Sequence, residues 1–392
     1  MLPLYYEYHN PVKILSGEAA LENIPYELHA LEAHAPLLLS DQGLKQVGAV
    51  DTVLHAIAPT VPKAIFTDIP ADSSVAVVNQ IAAYYKEQGC DSILAVGGGS
   101  VIDTAKGVRM VISQNTDNIE SLMGCEVLTA GRHIPFLAVP TTAGTGSEVT
   151  PVAVISNPQK QVKQEYLSAH LLPDAAILDL RMTMTLPPKV TASTGIDALC
   201  HAIESFTCLQ KNPMSDAYAA GAIPLIMRYL PIAAAHPGNK EARMAMANAS
   251  LMAGTSFGNS MVGLVHAIGH ALGGVCHVAH GDAMSILLPH VMAYNLDKCR
   301  SGYSDLLLHF AGPEVYCSTP ADHRAEKAVE VVTEFVTSFA PYGLPMTLKD
   351  TGRVNPDQFR QVAETAISDG AIIVNPKAAG IPEILTILKE AF

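Results

Sequence analysis

Short apolar runs at 36–40, 64–67, 92–96 and 134–139 read as buried strands, and residues 175–179 as a further one. Between them the stretches 42–57, 73–88 and 100–113 carry apolar residues at helical spacing, and strand-helix alternation of this kind predicts a parallel α/β sheet. After 186–188 the pattern changes. Ala, Met, Leu and His at helical spacing dominate, with Pro213, Pro224, Pro231, Pro237, Pro289, Pro320 and Pro341 read as breakers. The expected architecture is an α/β domain over 1–186 followed by an all-α domain over 187–392, with 311–322 as the one diffuse region.

Composition narrows the class. The 392 residues are 49% hydrophobic and 16% charged, enough for two compact domains with their own cores. A net charge of -13 without a basic run argues against nucleic acid as a partner. The opening residues carry neither a cationic leader nor an apolar export region, and the seven cysteines include no C-x-x-C pair, which suggests reduced thiols. A cytoplasmic protein is expected. Between Arg243 and Asp282 no Lys, Arg, Asp or Glu occurs, a run longer than the ~20 residues a bilayer requires. Asn248, Ser250, Thr255, Ser256, Asn259 and Ser260, with Gly254, Gly258, Gly263, Gly269, Gly273 and Gly274 besides, interrupt it, so it reads as closely packed buried helices and no membrane partner is expected.

That run holds four of the chain's fifteen histidines: His266, His270, His277 and His280. Upstream, Asp197 and His201 are four apart, as are His266 and His270, so each pair shares one helix face. A lone His on an apolar helix is more often a hydrogen-bonded core residue than a ligand. Clustered with an Asp-x-x-x-His turn, these point instead to a divalent transition metal such as Fe²⁺ or Zn²⁺. Cys200 could face the same cation, but a small buried core residue is the better reading. Phe257 and Asn259 are placed to border a substrate.

Strand 92–96 runs into Gly97, Gly98, Gly99 and Ser100, where Ser100 reads as a helix cap and backbone N–H groups at a helix start offer a place for a pyrophosphate. This is not the G-x-G-x-x-G fingerprint, and alone it is equally an ordinary strand-to-helix turn. A second loop at 140–150, with Thr141 and Thr142, is dense in hydroxyls and glycines at the carboxyl end of another strand, where parallel sheets bind ligands. Together the loops point to a phosphorylated cofactor. Asp41, at the end of the first strand, either meets an adenosine ribose, which favours NAD over NADP, or caps the helix that follows.

The segments around Ser40-Asp41, Gly97 to Lys106, Pro140 to Glu148, Thr185 to Pro188, Gly195 to Glu204, Val265 to His270, His280-Gly281 and Asn375 to Lys377 resemble, in order and spacing, the iron-containing (group III) alcohol dehydrogenase family over nearly the whole chain. The resemblance implies an N-terminal NAD(P)-binding α/β domain, a helical metal-binding domain and a cleft between them. It implies Asp197, His201, His266 and His280 as metal ligands and His270 in the substrate pocket. It assigns Asp41, Gly97, Gly98, Gly99, Ser100, Thr141, Thr142 and Lys163 to the dinucleotide. Two departures stand out: Ala279 where the family often has Pro, and Lys377 where it often has Arg, which would lose a bidentate contact.

The expected chemistry is hydride exchange between NAD and a small primary alcohol or diol and its aldehyde, with the metal as Lewis acid and His270 passing the hydroxyl proton or only hydrogen-bonding in the pocket. The expected assembly is a homodimer or larger homo-oligomer. Two rivals remain: a dehydroquinate synthase-like lyase or cyclase, and a non-catalytic nucleotide- or metal-binding protein. The lyase would need Lys or Arg near the metal, and 195–205 and 264–281 contain neither.

Overall fold

The computed structural model describes residues 3–123, 131–160 and 162–392. Two compact units form, one over His9–Leu186 and one over Pro187–Phe392 together with the N-terminal residues up to Tyr8.

The first unit contains β1 (Lys13–Ser16), α1 (Ile24–Ala30), β2 (Pro36–Leu39), α2 (Gln42–Gln46), α3 (Ala49–Ala56), β3 (Ala64–Phe66), α4 (Val75–Gln88), β4 (Ser92–Gly97), α5 (Gly99–Ser113), β5 (Phe136–Pro140), β6 (Val152–Asn157), β7 (Val162–Leu167) and β8 (Ala175–Leu178). Six strands form one sheet in the order β1-β8-β5-β4-β2-β3, every pair parallel. The apolar runs are unbroken because both faces are covered. Leu37, Leu39, Ile93, Ala95, Phe136 and Ala138 pack with Val78, Ile81, Ile102 and Ala105 of α4 and α5. Leu38, Leu94, Val96, Leu137 and Val139 point the other way, onto Leu21, Ile24, Val50 and Val53. From β2 the chain passes outward to β3, then returns to β4 on β2's other side. The carboxyl ends of β2 and β4 therefore flank a topological switch point, the crevice where open α/β sheets bind ligands.

The second unit holds α6 (Pro188–Thr207), α7 (Pro213–Ala235), α8 (Lys240–Phe257), α9 (Leu264–Cys276), α10 (His280–Ser318), α11 (Arg324–Thr337), α12 (Phe359–Ala366) and α13 (Ile381–Glu390). It has no named strand among the described residues. α7 packs against α6 and α8, and α10 against α6, α9 and α11.

Several local expectations need correction. The helical stretch 42–57 is two helices, parted at Gly48 in the left-handed region (φ 77). α5 starts at Gly99 with Gly98 as its cap, so Ser100 lies inside the helix, where its hydroxyl donates to Ala71 O. Pro224, Pro231 and Pro289 do not break helices. Each interior Pro costs about 3 kcal/mol, which α7 offsets by burying Ile223, Ile226 and Leu230 at about 1.5–3 kcal/mol each, besides four alanines. The stretch 311–322 is mostly helical, with the chain turning at Gly312 (φ 80, ψ 174) before a last helical segment to Ser318. β1 and the antiparallel β6–β7 pair had no sequence prediction. Six of the seven cysteines are described and all six are free; Cys125 lies outside the described residues.

Candidate functional site

α6 places Asp197 and His201 one turn apart, α9 contributes His266, and His280 is the first residue of α10. Asp197, His201 and His266 are buried to within 4% of full burial, and their donor atoms lie within 4.8 Å of one another. The Nε2 atoms of His201, His266 and His280 stand 3.8, 3.6 and 3.4 Å from Asp197 Oδ1. These separations are too long for hydrogen bonds. Donors sharing a tetrahedral cation at bonds of 2.0–2.1 Å would sit about 3.3 Å apart, close to what is seen. Asp197 Oδ1 and His266 Nε2 are buried and make no hydrogen bond. An orphaned buried polar atom costs about 1–3 kcal/mol, and a shared cation would satisfy a carboxylate oxygen that faces three imidazole nitrogens. Burial opposes the charge on Asp197, yet His201 and His280 hold its carboxyl well below the usual range.

The surroundings fix these donors. Glu204, three residues past His201 on the same helix face, accepts His266 Nδ1–H through Oε2 and Val265 N–H through Oε1 at 2.7 Å. With Nδ1 carrying that proton, the neutral ring would offer its Nε2 lone pair to a cation beside Asp197. Asn375 Oδ1 accepts Leu264 N–H at 3.2 Å, so two side chains from elsewhere cap the start of α9. His201 stacks between Phe257 and His266, with ring centroids 4.2 and 4.6 Å away. Asn259 Nδ2 donates to Thr255 O, and the Asn259 backbone carbonyl accepts from Asn212 Nδ2, a helix-end role. Cys200 points its thiol at Met284 O, and burial pushes that thiol well up, as suits a core residue.

His270 stands beside this cluster, 5.5 Å from the His280 ring and 5.8 Å from that of His266. Its Nδ1 is 2.8 Å from Asp369 Oδ2, and Ala371 N–H binds the other Asp369 oxygen at 2.9 Å. His277 and His280 part company: His277 ends α9 in the left-handed region (φ 56) and is exposed, while His280 opens α10 beside Asp197. Gly281 allows that approach, since a Cβ there would come within 2.9–3.0 Å of Ser193 on α6. Ala279 takes φ -61, ψ 135, the conformation a proline would impose, so the loop keeps its shape without one. Lys377 donates to Tyr294 O and pairs with Asp297, each at 2.9 Å.

In the α/β unit, the Gly97–Gly99 turn and the 140–146 loop follow the adjacent strands β4 and β5. They pack directly on one another. A Cβ on Gly98 would meet the Thr142 side chain at 3.2 Å and one on Gly99 would meet Thr145 at 2.8 Å. Thr141 is buried, and its N–H donates to Gly97 O at 3.0 Å. Asp41 caps α2 through Oδ1, which accepts Leu44 N–H at 2.8 Å, and it stands at the end of β2 on the switch-point crevice. Lys163, on β7, pairs with Asp72 at 3.2 Å, so it and Ser100 both hold the 71–72 segment. Glu204 and Asp369 escaped the sequence reading. Glu204 could have been found from its place one and two turns past His201 and Asp197. Asp369, 99 residues from His270, gives no local signal.

Family models for iron-containing alcohol dehydrogenases match residues 11–180, and those for the C-terminal part of the same family match residues 191–392. The 1,3-propanediol dehydrogenase of Klebsiella pneumoniae is 36% identical over 390 residues, 99% of each chain. The NAD-dependent methanol dehydrogenase of Bacillus methanolicus is 33% identical over 97% of this chain and 98% of its own. Among solved structures, a 1,3-propanediol oxidoreductase superposes with TM-score 0.93 at 35% identity, covering 99% of this chain and 100% of its own. The alcohol dehydrogenase of Oenococcus oeni gives the same score and coverage at 30% identity. With matches spanning both units and almost every residue, the chain belongs to the iron-containing alcohol dehydrogenase family.

Proposed function

We propose that this chain interconverts short primary alcohols or diols and their aldehydes, using NAD and a divalent transition metal held by Asp197, His201, His266 and His280. It is an oxidoreductase of the iron-type alcohol dehydrogenase class, and the observation that carries the metal reading is the orphaned Asp197 Oδ1 facing three imidazole nitrogens. A cation held there supplies Lewis acidity toward an alcohol or aldehyde oxygen, and NAD supplies the hydride acceptor. Iron is the metal the family name favours, with Zn²⁺ compatible with the same donors.

The chain's own groups divide the remaining work. Glu204 and Asn375 hold α9 and the His266 ring in place. His270, held by Asp369, passes the hydroxyl proton as the alcohol carbon gives up hydride. Gly97, Gly98, Gly99, Thr141 and Thr142 would cradle the phosphates at the α5 N-terminus, and Asp41 would hold the adenosine ribose, favouring NAD over NADP. The names of the propanediol and methanol dehydrogenases support a short alcohol or diol as substrate. The absence of Lys and Arg from 195–205 and 264–281 speaks against an anionic, lyase-type substrate.

A screen of NADH consumption over C2–C6 aldehydes and hydroxyaldehydes, with metal-loaded protein, tests this reading. Turnover on the short members is expected. No NADH consumption across the series, with NAD-requiring redox-neutral conversion of a phosphorylated substrate, would place the protein in the lyase class.

A further inference from the structure

Behind the glycine turn lies a buried ionic network that the proposed chemistry does not use. Lys106 and Glu148 are fully buried, and Asp103 is 16% exposed. Lys106 Nζ donates to Val152 O at 2.6 Å and to Thr150 Oγ1 at 3.1 Å, and stands 3.7 Å from Asp103 Oδ1. Asp103 in turn accepts the Ser147 hydroxyl on Oδ1 and Val154 N–H on Oδ2 at 3.0 Å. Four polar ties thus bind the first two turns of α5 to residues 147–154. Burying these charges is costly: Lys106 is pulled down to about 8 by burial and Glu148 is pushed up to about 7. A well-packed apolar set in the same place would hold the fold at least as well.

The place of the ties indicates their use. α5 begins at the glycine turn, and residues 147–154 continue directly from the 140–146 loop. In front, the two loops touch through Gly98 with Thr142 and Gly99 with Thr145. Seven residues on, about 10 Å along the helix, Lys106 fixes the same two segments from behind. We propose that Lys106 is a positioning residue for the dinucleotide, keeping the 140–150 loop in register with the Gly97–Gly99 turn without touching the cofactor. This rests on the NAD reading above.

The test is NADH affinity, measured by fluorescence titration of the full-length, metal-loaded protein, alongside thermal melting and elemental analysis. Lys106→Met is expected to weaken NADH binding roughly tenfold while His201, His266 and their metal content are untouched, the scale expected when a supporting contact shifts a binding loop. In Lys106→Met/Glu148→Gln both buried charges are gone, so melting temperature recovers while NADH affinity stays low. Thr150→Val, which removes one acceptor, should weaken binding several-fold less than Lys106→Met. Wild-type NADH affinity in folded Lys106→Met overturns the proposal, as does recovery of affinity along with stability in the double variant. Should Lys106→Met fail to fold, the double variant and Thr150→Val decide by the same criterion. Absence of NADH binding in the wild-type protein would instead overturn the cofactor reading.

Discussion

Glu204→Gln isolates the group that sets the His266 tautomer. In the wild type one carboxylate oxygen takes Val265 N–H and the other takes His266 Nδ1–H. A glutamine can offer its carbonyl to only one of them. If it keeps Val265, its NH₂ faces Nδ1, the imidazole proton moves to Nε2, and that N–H points at the space between His266 and Asp197. If it turns round, NH₂ confronts Val265 N–H and the start of α9 loses a cap. The first arrangement takes away the His266 Nε2 lone pair; the second keeps it but leaves the start of α9, and with it the position of the ring, without its Glu204 support. Loss of such a partner typically costs 10–100-fold in metal affinity, or about 1.4–2.8 kcal/mol. Competition with a chromophoric chelator, using Co²⁺ or Zn²⁺ on refolded wild-type and variant protein, reads this directly. Glu204→Ala should lose the metal to a similar extent and melt lower as well, since an absent cap costs about 1 kcal/mol. A Glu204→Gln protein binding metal within twofold of wild type would refute the reasoning.

Other substitutions separate the remaining roles. His280→Ala should retain little metal after dialysis, whereas His277→Ala, altering an exposed helix end, should retain it; elemental analysis of both variants checks this, and the reverse pattern would exchange their roles. Asp41→Gly should raise NADP use relative to NAD, measured as the ratio of kcat/KM values, while costing only a few tenths of a kcal/mol in capping of α2. An unchanged ratio would leave Asp41 as a cap alone. Glu148 is raised from 4.5 to about 7 by burial, so between these values the native state holds a proton the unfolded chain has lost, and its contribution to stability falls as pH rises. Against wild type, Glu148→Gln should gain up to about 3 kcal/mol between pH 4.5 and 8, measured by urea unfolding; a pH-independent difference would contradict that assignment.

The parts of the fold with a strong local signal were legible. Central strands buried on both faces are uninterrupted apolar runs, and the amphipathic spacing of α4, α11 and α12 follows from one covered face. The mostly exposed edge strand β1 has only four residues, with Lys13 and Ser16 at its ends, and the β6–β7 pair mixes Lys, Gln and Glu into its alternation, so neither stood out. Prolines misled because helix continuity in α7 and α10 is decided by packing rather than by propensity. In the candidate metal centre, i,i+4 spacing revealed Asp197 with His201, but the choice between His277 and His280 depended on a left-handed residue at the end of α9. Asp369 reaches His270 only through the fold, and the ties from Lys106 to Thr150 and Val152 span 44 and 46 residues.

The most direct measurement follows NADH oxidation by a short aldehyde in one preparation as purified, after the metal is stripped with a chelator, and after Fe²⁺ is returned. Loss of turnover on stripping and its recovery near one metal ion per chain is the expected result, with Zn²⁺, Mn²⁺ or Co²⁺ as partial substitutes. Undiminished turnover in protein shown by elemental analysis to contain no transition metal would contradict a metal-dependent dehydrogenase built on Asp197, His201, His266 and His280.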